Sequence, residues 1–147
     1  MKPYLIALIL LLLCAARAGA QDPPIGSIKL AEGDVGVTRG GSRLAATPGT
    51  LLFQGDVVDT GPDSRAGLIL RDDTTLSMGP ESRLELDQYL FEPRQNKFSV
   101  LFRMLRGTFV YLSGVIAKLA PDAIQLETPD STIAVRGTRL LIKVEGA

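Results

Sequence analysis

Five acidic residues form the densest group of side chains in this sequence that could do chemistry. Asp72, Asp73, Glu81, Glu85 and Asp87 could supply oxygen ligands to Ca²⁺ or form the carboxylate pair of a glycoside hydrolase. The stretch lacks the Asp-x-Asp-x-Asp-Gly spacing of a calcium-binding loop. Glu85 and Asp87 alternate with leucines, as the solvent-facing residues of a strand do. We therefore predict turn and surface roles for these carboxylates and no metal site.

The sequence lacks most other catalytic side chains. It contains no histidine and no tryptophan, and its single cysteine is Cys14. These absences exclude a His-bearing catalytic triad, a cysteine–histidine pair and a metal centre built from Cys and His ligands. Catalysis by carboxylates alone, or by a Ser–Lys pair, is left open. We predict a non-catalytic protein that uses no cofactor.

A mild basic cluster is the remaining candidate for ligand binding. Arg94, Lys97, Arg103 and Arg106 lie near several aromatic residues in the sequence, a combination that could bind an anionic glycan or a protein edge. A solvated strand face above an apolar one explains the same pattern and is favoured. The whole chain carries 16 basic and 16 acidic residues, so we expect no nucleic-acid partner.

The N-terminus has the features of a secretory signal peptide. Lys2 provides a positive charge, residues 4–13 are apolar, and Ala18-Gly19-Ala20 matches the small-x-small site of signal peptidase. The apolar run is shorter than the about 20 residues that span a bilayer. We therefore expect residues 1–20 to be removed before Gln21, leaving an exported bacterial protein, periplasmic or secreted, with no membrane span. An uncleaved leader that tethers the protein to the membrane is the alternative.

The rest of the chain divides into a short lead-in, residues 21–26, and one domain, residues 27–147. Apolar and polar residues alternate with a period of two, most clearly over residues 84–87, and Gly, Pro and Asp mark frequent turns. No convincing amphipathic helix follows the leader, and residues 115–120 fit a strand or a helical turn. The pattern predicts an all-β domain of many short strands, either sandwich-like or a short β-solenoid-like stack.

Several short motifs, in their order along the chain, resemble the FecR domain, a periplasmic module. They are Gly33-Asp34-Val35, residues 52–61, Ser64-x-Ala66, Asp72-x-Thr74, Gly79-Pro80-x-Ser82, Arg106-Gly107, Thr128-Pro129 and residues 135–138. Each motif alone is common, whereas their order and spacing together are specific. This chain has Asp73 where the family usually has a glycine, so a left-handed backbone there would strain that residue.

The residues of these motifs have simple structural explanations. Glycine tolerates a positive φ or a close backbone approach, aspartate can bond its own backbone in a turn, and proline forces an extended residue before it. We therefore predict structural turn residues, and no catalytic, cofactor-binding or metal-binding residue among them. The set is Gly33, Gly55, Asp56, Gly61, Asp72, Gly107, Pro129 and Gly137.

The resemblance to the FecR domain also implies an interaction function. In FecR-type regulators the domain follows a cytoplasmic anti-sigma segment and a transmembrane helix, and it relays the occupancy of an outer-membrane receptor. We expect this chain to lack both of those segments. The prediction is an exported binding, scaffold or sensing module of the bacterial cell envelope, whose partner is an envelope protein or glycan. The alternatives are a carboxylate-dependent enzyme acting on envelope glycans and a membrane-tethered signalling fragment.

The predicted signal peptide, residues 1–20, can be tested directly. The intact mass of the exported protein should correspond to a chain that begins at Gln21, or at its cyclised form, because Ala18-Gly19-Ala20 directs cleavage there. A membrane-bound form whose mass retains residues 1–20 would contradict export with cleavage.

Overall fold

A computed structural model describes residues 22–145, so the predicted signal peptide, the cleavage site before Gln21 and Cys14 lie outside the described residues. The described chain is mostly β-strand with little helix, which confirms the all-β prediction. A short helix, α1 (Val115–Leu119), and two 3-10 turns, Pro93–Gln95 and Pro121–Ala123, accompany the strands. The strands are β1 (Gly26–Glu32), β2 (Val35–Arg39), β3 (Ser42–Ala45), β4 (Leu51–Leu52), β5 (Val57–Thr60), β6 (Arg65–Leu70), β7 (Thr75–Met78), β8 (Arg83–Glu92), β9 (Lys97–Leu112), β10 (Ile124–Glu127), β11 (Thr132–Ala134) and β12 (Arg139–Val144).

The strands form one curled sheet, a half-barrel whose two halves share β9. The first part of β9 pairs with β8 and β10, whereas its end, residues 107–112, pairs with β7 and β12. We call the half around β7 wing A; it contains β4, β1, β6, β7, the end of β9 and β12. Wing B contains β3, β2, β5, β8, the start of β9, β10 and β11. Neighbouring strands are antiparallel except β9 and β10.

One hydrophobic core receives side chains from both wings. In β8 the buried residues are Leu84, Leu86 and then Tyr89, which departs by one residue from strict alternation. The departure has a cause in the pairing, because β8 carries one extra residue between Glu85 and Gln88 relative to β9. Such a β-bulge moves the following side chains to the opposite parity and so keeps Tyr89 in the core.

An internal repeat builds the corners where the chain passes from one wing to the other. Gly-Pro-Asp-Ser-Arg begins at Gly61 and Gly-Pro-Glu-Ser-Arg begins at Gly79, 18 residues later. Both segments end the strand of one wing and begin a strand of the other, β5 to β6 and β7 to β8. The acidic residues Asp63 and Glu81 both have a φ of 51°, so the two corners share a left-handed turn residue.

The serine of each repeated corner packs against a glycine of a neighbouring corner and accepts a hydrogen bond from the residue after that glycine. Ser82 Oγ accepts a hydrogen bond from Thr108 N at 3.1 Å, and Ser64 Oγ accepts one from Asp34 N at 2.8 Å. In both cases the residue just before the donor is a glycine, Gly107 or Gly33, packed against the serine. A Cβ on Gly107 would overlap Ser82 Oγ and lie 2.5 Å from Ser82 Cα. Gly107 therefore lets β9 bend from wing B into wing A.

The segment that sequence patterns left undecided, residues 115–120, forms the helix α1. It follows the end of β9 directly, and Ile116 is its fully buried residue. Among residues 22–145, the structure contains no helix with the length and hydropathy needed to cross a bilayer.

Two glycines with nearly the same backbone angle make a matched test of these corners. Gly107 has a φ of 100° and Gly137 a φ of 103°, but no atom lies within 4 Å of a Cβ added at Gly137. Gly137→Ala should therefore cost about 1–2 kcal/mol, the cost of an unfavourable φ. Gly107→Ala should cost an additional about 1–3 kcal/mol, because the new methyl group overlaps Ser82.

Chemical denaturation of the purified protein measures both costs, with exposed Ser42→Ala as a control that should change nothing. Equal unfolding midpoints for Gly107→Ala and Gly137→Ala would show that the Ser82 contact does not constrain β9.

Candidate functional site

Gly55 and Asp56 lie in the turn before β5, where Asp56 is buried with one strong partner. The side chain of Asp56 is 1% exposed, and Arg39 donates to both of its oxygens, at 2.8 and 2.7 Å. Phe53 N donates to the same carboxylate at 2.9 Å, and the Arg39 guanidinium lies 4.5 Å from the centre of the Phe53 ring. The hydrogen bonds that Arg39 donates to Asp56 raise the pKa of the Arg39 guanidinium. Gly55, the residue before Asp56, has a φ of 90°. The Asp56 carboxylate therefore has all of these hydrogen-bond donors within the protein itself.

Asp72 is the second buried carboxylate and joins three segments of the chain. It accepts hydrogen bonds from Thr74 Oγ1 at 2.8 Å, from Tyr89 Oη at 2.8 Å and from Ile116 N at 3.1 Å. Its own backbone N–H donates to Tyr89 Oη at 3.0 Å, and its carbonyl accepts from Val115 N at 2.7 Å. Asp72 therefore binds the β6–β7 turn to β8 and to the start of α1, and cannot also serve as an exposed calcium ligand.

The other predicted turn residues lie at bends of the chain. Gly61 packs closely against the side chain of Asp34. A Cβ added at Gly61 would lie only 3.1 Å from Asp34 Oδ2. Pro129 lies in the bend between β10 and β11, and Gly137 lies between β11 and β12. Asp73, at the position where the family usually has glycine, has a φ of 66°, the left-handed conformation that strains a non-glycine residue.

The acidic stretch does not assemble into a site. Asp73 and Glu81 lie in different turns, and Asp87 forms an ion pair with Arg103, with Nε to Oδ2 at 2.8 Å. Within the described range 22–145, no three residues of the His, Cys, Asp and Glu types are grouped so that they could hold a metal ion. The structure therefore offers no geometry for the calcium-site hypothesis in this range.

The basic cluster is dispersed in a similar way. Arg103 contacts Glu127 at 3.4 Å as well as Asp87, so its charge is compensated on two sides. Arg94 lies in a 3-10 turn and Lys97 at the start of β9, whereas Arg106 lines a groove of about 430 Å³ at the corners. The four residues are thus spread over the turn before β9 and the length of that strand.

The feature that the sequence did not reveal is an apolar outer face on wing A, away from the core. Leu30, Leu51, Leu112 and Leu141 are 43, 51, 40 and 71% exposed, and they are four of the six exposed large apolar residues of the described chain. We call these four residues the outer leucine face. Strand pairing places them in two rows that cross wing A: Leu30-Gly67-Ser77-Val110-Leu141 and Leu51-Ser27-Ile69-Thr75-Leu112-Arg139.

The position of glycine explains part of this surface. A Cβ on Gly67 would lie 3.2 Å from Leu30 Cβ, so the absence of a side chain there leaves room for Leu30 on the outer face. The first row crosses five strands and the second crosses six, so the longer row spans about 24 Å if neighbouring strands lie about 4.8 Å apart. Four exposed leucines on one face of a sheet, with the small polar residues Ser27, Thr75 and Ser77 between them, mark this face as a candidate protein contact.

A protein-family comparison matches residues 56–147 to the family described as "FecR protein". The chain belongs to the FecR family. No curated protein and no solved structure matches the chain. Family membership confirms the resemblance found in the sequence and indicates an envelope-associated signalling or sensing module on the periplasmic side.

The matched FecR region covers six of the predicted turn residues, from Asp56 to Gly137, whereas Gly33 and Gly55 precede it. The strands before the match are nevertheless part of the same sheet, since β1 pairs with β6 and β2 pairs with β5. The Arg39–Asp56 ion pair likewise joins the two regions. Residues 26–55 therefore complete the FecR fold of this chain.

The Asp72 cluster makes the stability of this FecR protein sensitive to alkaline pH. Burial, and then the neighbouring charge of Asp72, raise the pKa of Tyr89 above its ordinary value of about 10. The unfolded chain therefore loses the Tyr89 proton at lower pH than the folded chain. The free energy of unfolding should be unaffected by Tyr89 below pH 10 and should fall as pH rises above it.

Urea denaturation at a series of pH values from 8 to 11 measures this effect, and Tyr89→Phe should make the decline shallower. Tyr111, whose pKa burial raises to about 12, accounts for part of the remaining slope. An identical decline in wild type and Tyr89→Phe would mean that the Tyr89 hydroxyl is not held in the buried cluster.

Proposed function

We propose that this FecR-family protein is an exported, non-catalytic interaction module of the bacterial cell envelope that binds another envelope protein. The observation that carries the proposal is the outer leucine face, since four exposed leucines on one sheet face favour contact with a complementary surface. The family supports a sensing or scaffold role in the envelope. The predicted signal peptide supports export.

A protein fits this surface better than a glycan does. Leucine side chains offer no hydrogen-bond donor or acceptor to the hydroxyl groups of a sugar. Aromatic side chains, which could stack on sugar rings, are all buried or half-buried among residues 22–145. We therefore assign the apolar centre of the contact to a protein surface.

The charged residues beside the outer leucine face indicate which charges the partner carries around its apolar centre. Arg139 and Lys143 flank Leu141 on β12, and both are exposed. Lys143 has a distant partner, Glu145, at 3.7 Å, and the two side chains are 72 and 86% exposed, so solvent screens the pair. The complementary partner carries an apolar centre and acidic residues where it meets β12.

The buried carboxylates support a non-catalytic role. Asp56 and Asp72 are 1% exposed and fully engaged by hydrogen bonds within the fold. A carboxylate pair for hydrolysis would need access to substrate and to water, which neither of these residues has.

Site-specific photocrosslinking tests the proposed contact in living cells. A photoreactive phenylalanine analogue replaces Leu112, on the outer leucine face, or Leu44, an equally exposed leucine on β3 of wing B. We expect cross-links from position 112 to one envelope protein, at a peptide that contains apolar and acidic residues, and none from position 44. Leu30→Ser combined with Leu112→Ser should abolish the complex, whereas Leu44→Ser should preserve it.

Three results would overturn the proposal. They are an absence of cross-links from position 112, equal cross-linking from both positions, and cross-linking to a glycan. Hydrolysis of envelope glycans by the purified protein, if lost on replacing Glu85→Gln and Asp87→Asn without loss of thermal stability, would instead establish the enzyme alternative.

A further inference from the structure

Wing A ends in an open strand edge at β12. The strand pairs with β9 on one side, and no other strand among residues 22–145 pairs with it. The other edge strands, β3, β4 and β11, are four, two and three residues long, whereas β12 has six residues. A six-residue edge with free backbone groups is a template for another strand.

The backbone geometry identifies which residues of β12 point to the open edge. Ser113 N donates to Thr138 O at 2.9 Å, so these two residues form a hydrogen-bonded pair at the start of the β9–β12 ladder. Hydrogen-bonded and non-hydrogen-bonded pairs alternate along an antiparallel ladder. The N–H and C=O groups of Arg139, Leu141 and Lys143 therefore point away from β9. Leu141, the most exposed leucine of the outer leucine face, is at the centre.

We propose that a second copy of this chain pairs with this edge, antiparallel, about a two-fold axis at Ile142. In this register Arg139 lies opposite Glu145 of the second copy, and Leu141 lies opposite Lys143 of the second copy. The Arg139–Glu145 ion pair forms twice because the contact is symmetric, and each outward-pointing residue meets another outward-pointing residue.

The neighbouring registers are disfavoured by charge or by backbone shape. An axis at Leu141 places Arg139 opposite Lys143 of the second copy, and an axis at Lys143 places the two Lys143 side chains together; like charges directly opposite are destabilising. An axis at Leu140 extends the pairing to Gly137, whose φ of 103° ends the extended strand. The charged residues of β12 and the bend at Gly137 thus favour the axis at Ile142 over those at Leu140, Leu141 and Lys143.

The inner face of β12 is also self-complementary in this register. Ile142 is 8% exposed, and Leu140 and Val144 are half-buried against the core. Pairing about Ile142 brings Leu140 opposite Val144 of the second copy and joins the two Ile142 side chains. The contact therefore covers apolar surface at the open end of both cores, and on the outer face it places Leu141 of each copy beside Lys143 of the other.

Light scattering of the exported protein over a concentration series tests self-association. The mass should rise to twice that of the monomer as concentration increases. Arg139→Glu alone and Glu145→Arg alone should each lower the dimer fraction at least tenfold, since each creates two like-charge contacts. The variant that carries both changes should recover the wild-type dimer fraction, which a merely destabilised fold would not do.

Cysteine pairing reads the register directly. One chain carries Leu141→Cys and another carries Lys143→Cys, and hydrogen-bonded strand pairs have a Cα separation of about 5.5 Å, which suits a disulfide. We expect the mixture to form a disulfide-linked dimer and each chain alone to form far less. The wild-type protein, whose only cysteine is Cys14, is the control for background.

A wild-type protein that stays monomeric at its highest soluble concentration would overturn the dimer. A dimer that forms self-links through Leu141→Cys alone would overturn the register. Partner binding is measured separately by photocrosslinking at position 112, on β9, so failure of the dimer and failure of the envelope contact give different results.

Discussion

The hydrogen bonds of one buried carboxylate, that of Asp72, connect segments on which much of the fold depends. Removing a charged group from water is costly unless hydrogen bonds replace the lost solvation, and here they come from Thr74, Tyr89 and the first turn of α1. Those donors belong to three segments that are separated along the sequence. The hydrogen bonds to Asp72 therefore fix the positions of these three segments relative to one another. They also fix the place where the chain leaves β9 and turns toward the last strands.

The glycine–serine corners act together with this cluster. Asp72 holds one end of β9, whereas Gly107 and Ser82 set the bend in its middle. Since β9 belongs to both wings, the bend decides which side chains enter the common core and which remain outside. The outer leucine face and the open edge of β12 both lie on the wing that follows the bend, so the surfaces proposed for interaction depend on the same joint.

Local patterns predicted the all-β class, because strand alternation and turn residues are properties of neighbouring positions. Longer-range features could not be predicted in the same way. The partner of Asp56 is Arg39, 17 positions away, and nothing near either residue indicates the pairing. The outer leucine face is hidden in the sequence because residues 109–112 are apolar on both sides of the strand. The repeated corner is also hard to detect, because its two copies differ at the acidic residue and in the residues after the arginine. The contacts of Asp72 with Val115 and Ile116 at the start of helix α1 likewise join residues more than 40 positions apart, which local patterns do not indicate.

The repeated corner also carries a consequence for the size of the molecule. Each Gly-Pro-acid-Ser segment carries the chain into the other wing, β5 to β6 at the first copy and β7 to β8 at the second. Two corners in succession therefore return the chain to the wing in which it started. Gain or loss of a single 18-residue unit would send every later strand into the wrong wing, whereas gain or loss of a pair of units would not. Such a sheet can therefore change length during evolution by pairs of corners and not by single ones.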